Sequence, residues 1–279
     1  MTSGPTPELV FAGDRLQARL WRPDPQTGPQ TDPQTATLYV TFRHRVPDPG
    51  RFSDAGAVRH ALTLGLAHLH IQSRWNDWYL NAETTALEAA LRQLRTRFSA
   101  ARAFGYSMGG YGALRFSAAL ALDQALVVSP QFTLDPGVLP DETRYPEAGS
   151  LDHNLGDLRA VAKPDLAGVV VVDPLRRLDR QHAALIAEAM SRMRLARLAF
   201  GGHPATTALR EAGGFCALQL ISMTAPLNPG PVIALHRRLR AASPSYWNDR
   251  AKECLQRGRL TAAEIALDRA EALGPSDGS

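Results

Sequence analysis

From Leu38 onward, short apolar runs alternate with longer stretches whose apolar residues recur every three or four positions. The runs Leu38–Phe42, Ala67–Gln72, Ala101–Tyr106, Gln124–Val128, Gly168–Val172 and Leu195–Phe200 are bounded by Gly, Pro, Asp or polar clusters, which predicts strands. Gly168–Val172 is apolar on both faces, as a central parallel strand must be. Between the strands, Asp54–Gly65, Thr85–Phe98, Met108–Leu122 and Asp179–Arg194 carry the helical period, and Thr206–Gly213 and Gly230–Ala242 close the main body as helices. Phe215–Thr224 fits neither period. Val10–Arg22 alternates as an opening strand or hairpin arm. Strands alternating with helices predict an α/β fold, with a mostly parallel central sheet and helices on both faces.

Three stretches break the pattern. Residues 23–37 repeat Pro-Gln-Thr with no anchoring apolar residue, which predicts a mobile loop. Residues 129–164 form a Pro- and Gly-containing insertion between two strands, with Phe132, Leu134, Leu139 and Tyr145 as its apolar contacts. Ser245–Leu273 reads as two short helices joined at Gln256–Arg259 and resembles one tetratricopeptide-type unit. Such units need about three copies to bury a core, so a single one packs on the body or on a second subunit. The expected organisation is therefore a main domain over 1–242 and a short C-terminal helical hairpin over 243–279.

Composition narrows the classes. At 44% hydrophobic and 21% charged, the chain has the content of a soluble globular protein. The net charge of +4 comes from arginines scattered among Asp and Glu, with no basic block of the kind that tracks a phosphate backbone, so no nucleic-acid partner is expected. Cys216 and Cys254 lack metal or disulfide spacing, and neither a signal-peptide start nor a membrane-spanning run is present. A cytoplasmic protein without a membrane partner is expected. His68 and His70 share one face of a strand, but no further ligands complete a metal site; buried, hydrogen-bonded histidines are the expectation.

The chemistry centres on Gly105-Tyr106-Ser107-Met108-Gly109, a G-x-S-x-G sequence between a predicted strand and a predicted helix. That context puts Ser107 on a sharp turn, with glycines where a Cβ would clash and a helix N-terminus behind the hydroxyl. A serine hydroxyl needs a base, and the base an orienting carboxylate. In open α/β sheets the working residues lie past the carboxyl ends of strands. Asp173 follows the 168–172 strand and His203 follows the 195–200 strand; Asp179, a few residues on, is the other candidate acid.

The order Ser107, Asp173, His203, carried by Gly-Tyr-Ser-Met-Gly-Gly, Val-Val-Val-Val-Asp-Pro and Ala-Phe-Gly-Gly-His-Pro, resembles the α/β-hydrolase superfamily over roughly residues 38–242. The resemblance implies hydrolysis of a carboxylic ester or thioester through an acyl-enzyme, with no cofactor and no metal. It implies a Met108 amide in the oxyanion hole, with Arg43 or His44 supplying the second donor by position. No His-Gly or Gly-Gly pair follows the Leu38–Phe42 strand, so that donor departs from the common pattern. It also makes the 129–164 insertion lid-like. Trp75, Trp78 and Tyr79, with His44, are expected to line a pocket for a small-molecule acyl substrate, and Arg144 is a candidate contact for an acidic group. The triad alone does not distinguish hydrolysis from acyl transfer. A non-catalytic interaction protein on this scaffold is the remaining alternative, and the C-terminal helices are the expected face for a protein partner or a second copy.

Overall fold

The computed structural model describes residues 6–24 and 36–274; most of the 23–37 loop lies outside the described residues. An antiparallel hairpin, β1 (Glu8–Ala12) and β2 (Leu16–Trp21), opens the chain. Then follow β3 (Thr37–Phe42), α1 (Arg59–Thr63), β4 (Ala67–Ser73), α2 (Thr84–Arg95), β5 (Ala100–Tyr106), α3 (Met108–Arg115) and β6 (Gln124–Val128). After the insertion, which holds the single turn α4 (Leu158–Val161), come β7 (Ala167–Val172), α5 (Arg177–Ala189) and β8 (Met193–Arg197). Five α-helices follow among the described residues: α6 (Thr207–Glu211), α7 (Phe215–Met223), α8 (Pro229–Leu239), α9 (Pro244–Gln256) and α10 (Leu260–Ala272).

The eight strands form one sheet in the order β1-β2-β4-β3-β5-β6-β7-β8, parallel from β4 to β8 and antiparallel through β2 and β1. Strand alternation divides the core in two. Leu38, Val40, Val127 and Val170 meet α2, α3 and α5 through Leu87, Leu91, Leu114 and Ile186 on one face. Tyr39, Leu126, Val169 and Val171 meet α1, α7 and α8 through Ala61, Leu218 and Val232 on the other. The sheet is thus mixed but mostly parallel, with helices on both sides.

Local chemistry moves several boundaries from those the periodicity predicts. The helix expected over 54–65 is confined to α1, because Ser53 is tied by its amide and hydroxyl to Gln72 Oε1 and the Val58 amide donates to His68 Nδ1, which keeps this approach extended. The helix expected over 108–122 is regular only to Arg115, since the Ser117 hydroxyl donates to the Leu114 carbonyl and competes with the next turn. The ambiguous 215–224 stretch is α7. The helical pair α9 and α10 packs through Tyr246, Trp247, Ala251, Ala266 and Ala270 against Ala208 and Phe200. Among the described residues no helix is long and apolar enough to cross a membrane.

Candidate active site

Ser107 is the single residue between β5 and α3, at φ +46° and ψ −122°, a strained conformation for a residue with a Cβ. Its neighbours make the turn possible. A Cβ on Gly105 would lie 2.3 Å from the Gly109 carbonyl oxygen, and one on Gly109 would lie 2.6 Å from the Phe42 carbonyl oxygen. Backbone bonds from the Ser107 amide to Val128 O and from the Tyr111 amide to Ser107 O pin the turn. As the first residue of α3, Met108 has an amide with no acceptor inside the helix, directed with the helix dipole toward this end of the sheet.

His203 follows β8, and its Nδ1 lies 2.6 Å from Asp179 Oδ2. Here the structure departs from the expected acid. Asp173 does not touch the imidazole; its two oxygens accept from the amides of Leu175 and Gly202, tying the end of β7 to the loop that carries His203. Asp179 reaches the ring because α5 begins beyond the strand end and places Asp179 in its first turn, where the helix dipole favours a carboxylate. Its side chain is fully buried. Burial alone would raise the carboxyl, but the His203 bond and the Arg144 guanidinium hold Asp179 below the usual carboxylate range. Asp173, buried without such a partner, is raised.

Arg144 comes from the insertion and is engaged on two sides by carboxylates of the protein itself. It spans Asp179 Oδ1 at 2.7 Å and the carboxylate of Glu142, which in turn lies 2.8 Å from His182 Nε2 on α5. The Phe132 amide donates to His182 Nδ1, so the insertion is fastened to α5 at both ends of this chain of contacts.

Ser107, His203 and His44 line one open cavity of about 760 Å³, with Tyr106, Tyr145, Thr206, Arg210 and Phe215 among its other walls. In the structure the Ser107 hydroxyl points to Gln131 Oε1 at a long 3.5 Å rather than to His203. The Gln131 Nε2 group donates to the Tyr145 hydroxyl at 2.9 Å. Burial pushes the Tyr145 phenol up to about 12, against the opposing pull of Arg144 and Ser107, so it stays protonated at neutral pH.

The remaining candidates divide. His44 lines the cavity; burial, with Arg43 and Arg210 nearby, lowers its basicity. Arg43 does not supply a free donor: its amide extends the β3–β4 ladder to Ile71 O, and its guanidinium binds the carbonyls of Arg51 and Ser73. The next amide along the loop is that of His44. The three aromatics lie elsewhere. Tyr79 and Trp78 are fully buried, both with positive φ, because the Asp77 carboxylate accepts from the Tyr79 amide and folds the loop inward. There the Tyr79 hydroxyl donates to Arg43 O, and Trp78 packs edge-on beneath Tyr145. Trp75 is 45% exposed and faces a separate shallow cavity with Arg45 and Glu147.

Gln131 and Glu142 are absent from the sequence-level candidates, since nothing in their spacing sets them apart from other polar residues of an irregular segment. Thr41 Oγ1 bonds both His68 Nε2 and His70 Nδ1, and burial lowers the two imidazoles to about 3 and about 4. They are polar core residues. Among the described residues no group of three or more His, Cys, Asp or Glu side chains is arranged to hold a metal ion.

No family model and no curated protein sequence matches the chain. Solved structures do. A mutant capsule O-acetyltransferase of Neisseria meningitidis serogroup A in complex with CoA matches with a TM-score of 0.53 at 10% identity, over 80% of this chain and 98% of that one. The same transferase with caged gadolinium matches at 0.51 and 12% identity, over 77% and 93%. A butyrate-bound esterase from Thermogutta terrifontis aligns at 0.46 and 12% identity, over 81% and 97%. The chain has the α/β-hydrolase fold.

Proposed function

We propose that the chain is a serine-dependent acyl-transfer enzyme, cleaving a carboxylic ester or thioester with Ser107 as nucleophile, His203 as base and Asp179 as the orienting acid. The observation that carries this reading is the 2.6 Å bond between His203 Nδ1 and a buried carboxylate, on the same cavity as a serine held at a strained turn. With Nδ1 committed to Asp179, His203 Nε2 is the nitrogen left for the serine proton. The reading requires the Ser107 hydroxyl, which points to Gln131 in the structure, to turn toward Nε2 across the shared cavity as substrate arrives.

Attack of Oγ on the acyl carbonyl then moves its proton to Nε2 and the carbonyl electron pair to oxygen. The Met108 amide and the His44 amide receive that oxyanion, each donor worth about 3 kcal/mol in a preorganised site. Collapse expels the alcohol or thiol, which takes the proton from His203. Water, with His203 again as base, releases the acid and frees Ser107. Asp179 stays ionised throughout and stabilises the imidazolium.

Transfer to an acceptor other than water is the second reading. The cavity has volume beside an acyl group for an acceptor, and O-acetyltransferases share the fold. Both readings need the same first half-reaction. Initial rates on p-nitrophenyl and thioester substrates of graded chain length test it: the wild type should turn over at least one, and Ser107→Ala should lose about a thousandfold or more with an unchanged melting temperature. Undiminished turnover in Ser107→Ala would overturn the assignment. Product analysis with and without an added alcohol separates hydrolysis from transfer.

A further inference from the structure

The described walls of the cavity carry two arginines and two histidines and no carboxylate. Two of these four groups are already engaged: Arg45 binds Glu147, and His203 binds Asp179. Burial, with Arg43 and Arg210 nearby, lowers the basicity of His44. Arg210, exposed on α6 at the cavity wall, has neither an ion pair nor a side-chain hydrogen bond among the described residues. Among the described residues it is the arginine of the cavity left without a partner.

Tyr106, the residue before the serine, lines the same cavity. Its ring is fixed against Phe104 at 4.9 Å and Phe215 at 6.1 Å. Among the described residues its hydroxyl is buried without a hydrogen-bond partner, as are Arg74 Nε, Arg95 Nε, Gln181 Oε1 and His236 Nδ1, but of these five residues only Tyr106 lines the cavity. Leaving a buried hydroxyl unmade costs about 1–3 kcal/mol, which a ligand acceptor would recover. Arg210 lies close enough to favour the ionised Tyr106 phenol, and a planar guanidinium beside a phenol donor matches an oxyanion with two or more acceptor atoms.

We propose that the substrate carries a carboxylate or similar anionic group seated on Arg210, with the Tyr106 hydroxyl donating to it, while the scissile carbonyl lies at Ser107. This rests on the acyl-transfer reading for the position of the carbonyl, but the anion subsite stands on its own geometry. An ester without the anion leaves the buried Tyr106 hydroxyl unmade and the Arg210 guanidinium paired only with water, so the site should favour the anionic substrate.

Two paired comparisons test it and locate the charge. Mono-p-nitrophenyl glutarate against p-nitrophenyl butyrate places the anion on the acyl side. p-Acetoxybenzoate against phenyl acetate places it on the alcohol side. One pair should show an anionic-to-neutral ratio of kcat/KM of about tenfold or more, collapsing toward unity in Arg210→Met, partly restored in Arg210→Lys and reduced in Tyr106→Phe. Calorimetric titration of Ser107→Ala with monomethyl glutarate and p-acetoxybenzoate, against methyl butyrate and phenyl acetate, reads the subsite without chemistry. There an anionic ligand should bind more tightly, and the added substitution Arg210→Met should remove the advantage. Ratios near unity that Arg210→Met does not move, with no binding preference, overturn the anion subsite. Absence of any Ser107-dependent turnover alongside an Arg210-dependent binding preference would instead overturn the acyl-transfer reading and leave the subsite standing.

Discussion

Asp179 Oδ2 lies 2.6 Å from His203 Nδ1, while the other oxygen of the same carboxylate holds Arg144 at 2.7 Å. One buried acid therefore joins the imidazole after β8 to the insertion that follows β6. The insertion is fastened to the proposed catalytic machinery, and its tyrosine, Tyr145, reaches the serine through Gln131.

The division of labour between the two aspartates is testable. Asp179→Asn should lower kcat by about a thousandfold to ten-thousandfold, as loss of the tautomer-fixing acid does elsewhere, with little change in KM. Asp173→Asn should cost much less rate and act mainly on the melting temperature, because Asp173 pins the Leu175 and Gly202 amides instead of the ring. Steady-state kinetics and thermal unfolding on both variants decide it; a larger rate loss at Asp173 would reverse the assignment.

Acid stability should follow Glu142. Burial opposes its charge, yet Arg144 and His182 hold its carboxyl at about 2 against an ordinary 4.5. Its folded pKa is depressed, so its contribution is complete above about 4.5 and fades as the pH falls toward about 2, where the unfolded chain takes up the proton first. Urea unfolding at a series of pH values should give a flatter acid limb for Glu142→Gln, with a loss at neutral pH on the order of 3 kcal/mol. An acid limb identical to the wild type would contradict the pairing.

Tyr79 supports the loop after β3 from below, through its bond to Arg43 O and its packing on Phe42 and Phe116. Tyr79→Phe should destabilise the fold by about 1–2 kcal/mol and leave the ranking of ester substrates as in the wild type. A changed ranking would return Tyr79 to the substrate wall.

The approach of α3 to β3 depends on Gly109. A methyl there meets the Phe42 and Arg43 carbonyls, so Gly109→Ala must push the helix N-terminus away from the strand. A loss of about 2–4 kcal/mol in stability is expected from denaturant unfolding, with reduced turnover because the Met108 amide moves with the helix. Wild-type stability in that variant would show the contact to be soft.

The sheet and its two helical layers were legible because strand and helix periods are written in side-chain polarity, and the elbow because glycine spacing reports backbone crowding. Asp179 was harder to choose. Both aspartates follow the same strand, and only the point where α5 starts decides which carboxylate turns toward His203. The inward fold of Trp78 and Tyr79 was hidden for a related reason: the positive φ values that bury them are set by hydrogen bonds to Asp77, which leave no periodic trace. Gln131, Glu142 and Arg210 acquire meaning only from neighbours distant in the chain.

The most direct measurement is reaction of the folded protein with a fluorophosphonate, followed by intact mass and peptide mapping. A nucleophile activated by His203 and Asp179 should take up a single adduct on Ser107, and labelling should fall sharply in His203→Ala and Asp179→Asn. Folded protein that stays unlabelled, or an adduct mapped to another residue, would contradict the proposal that Ser107 is the activated nucleophile of this site.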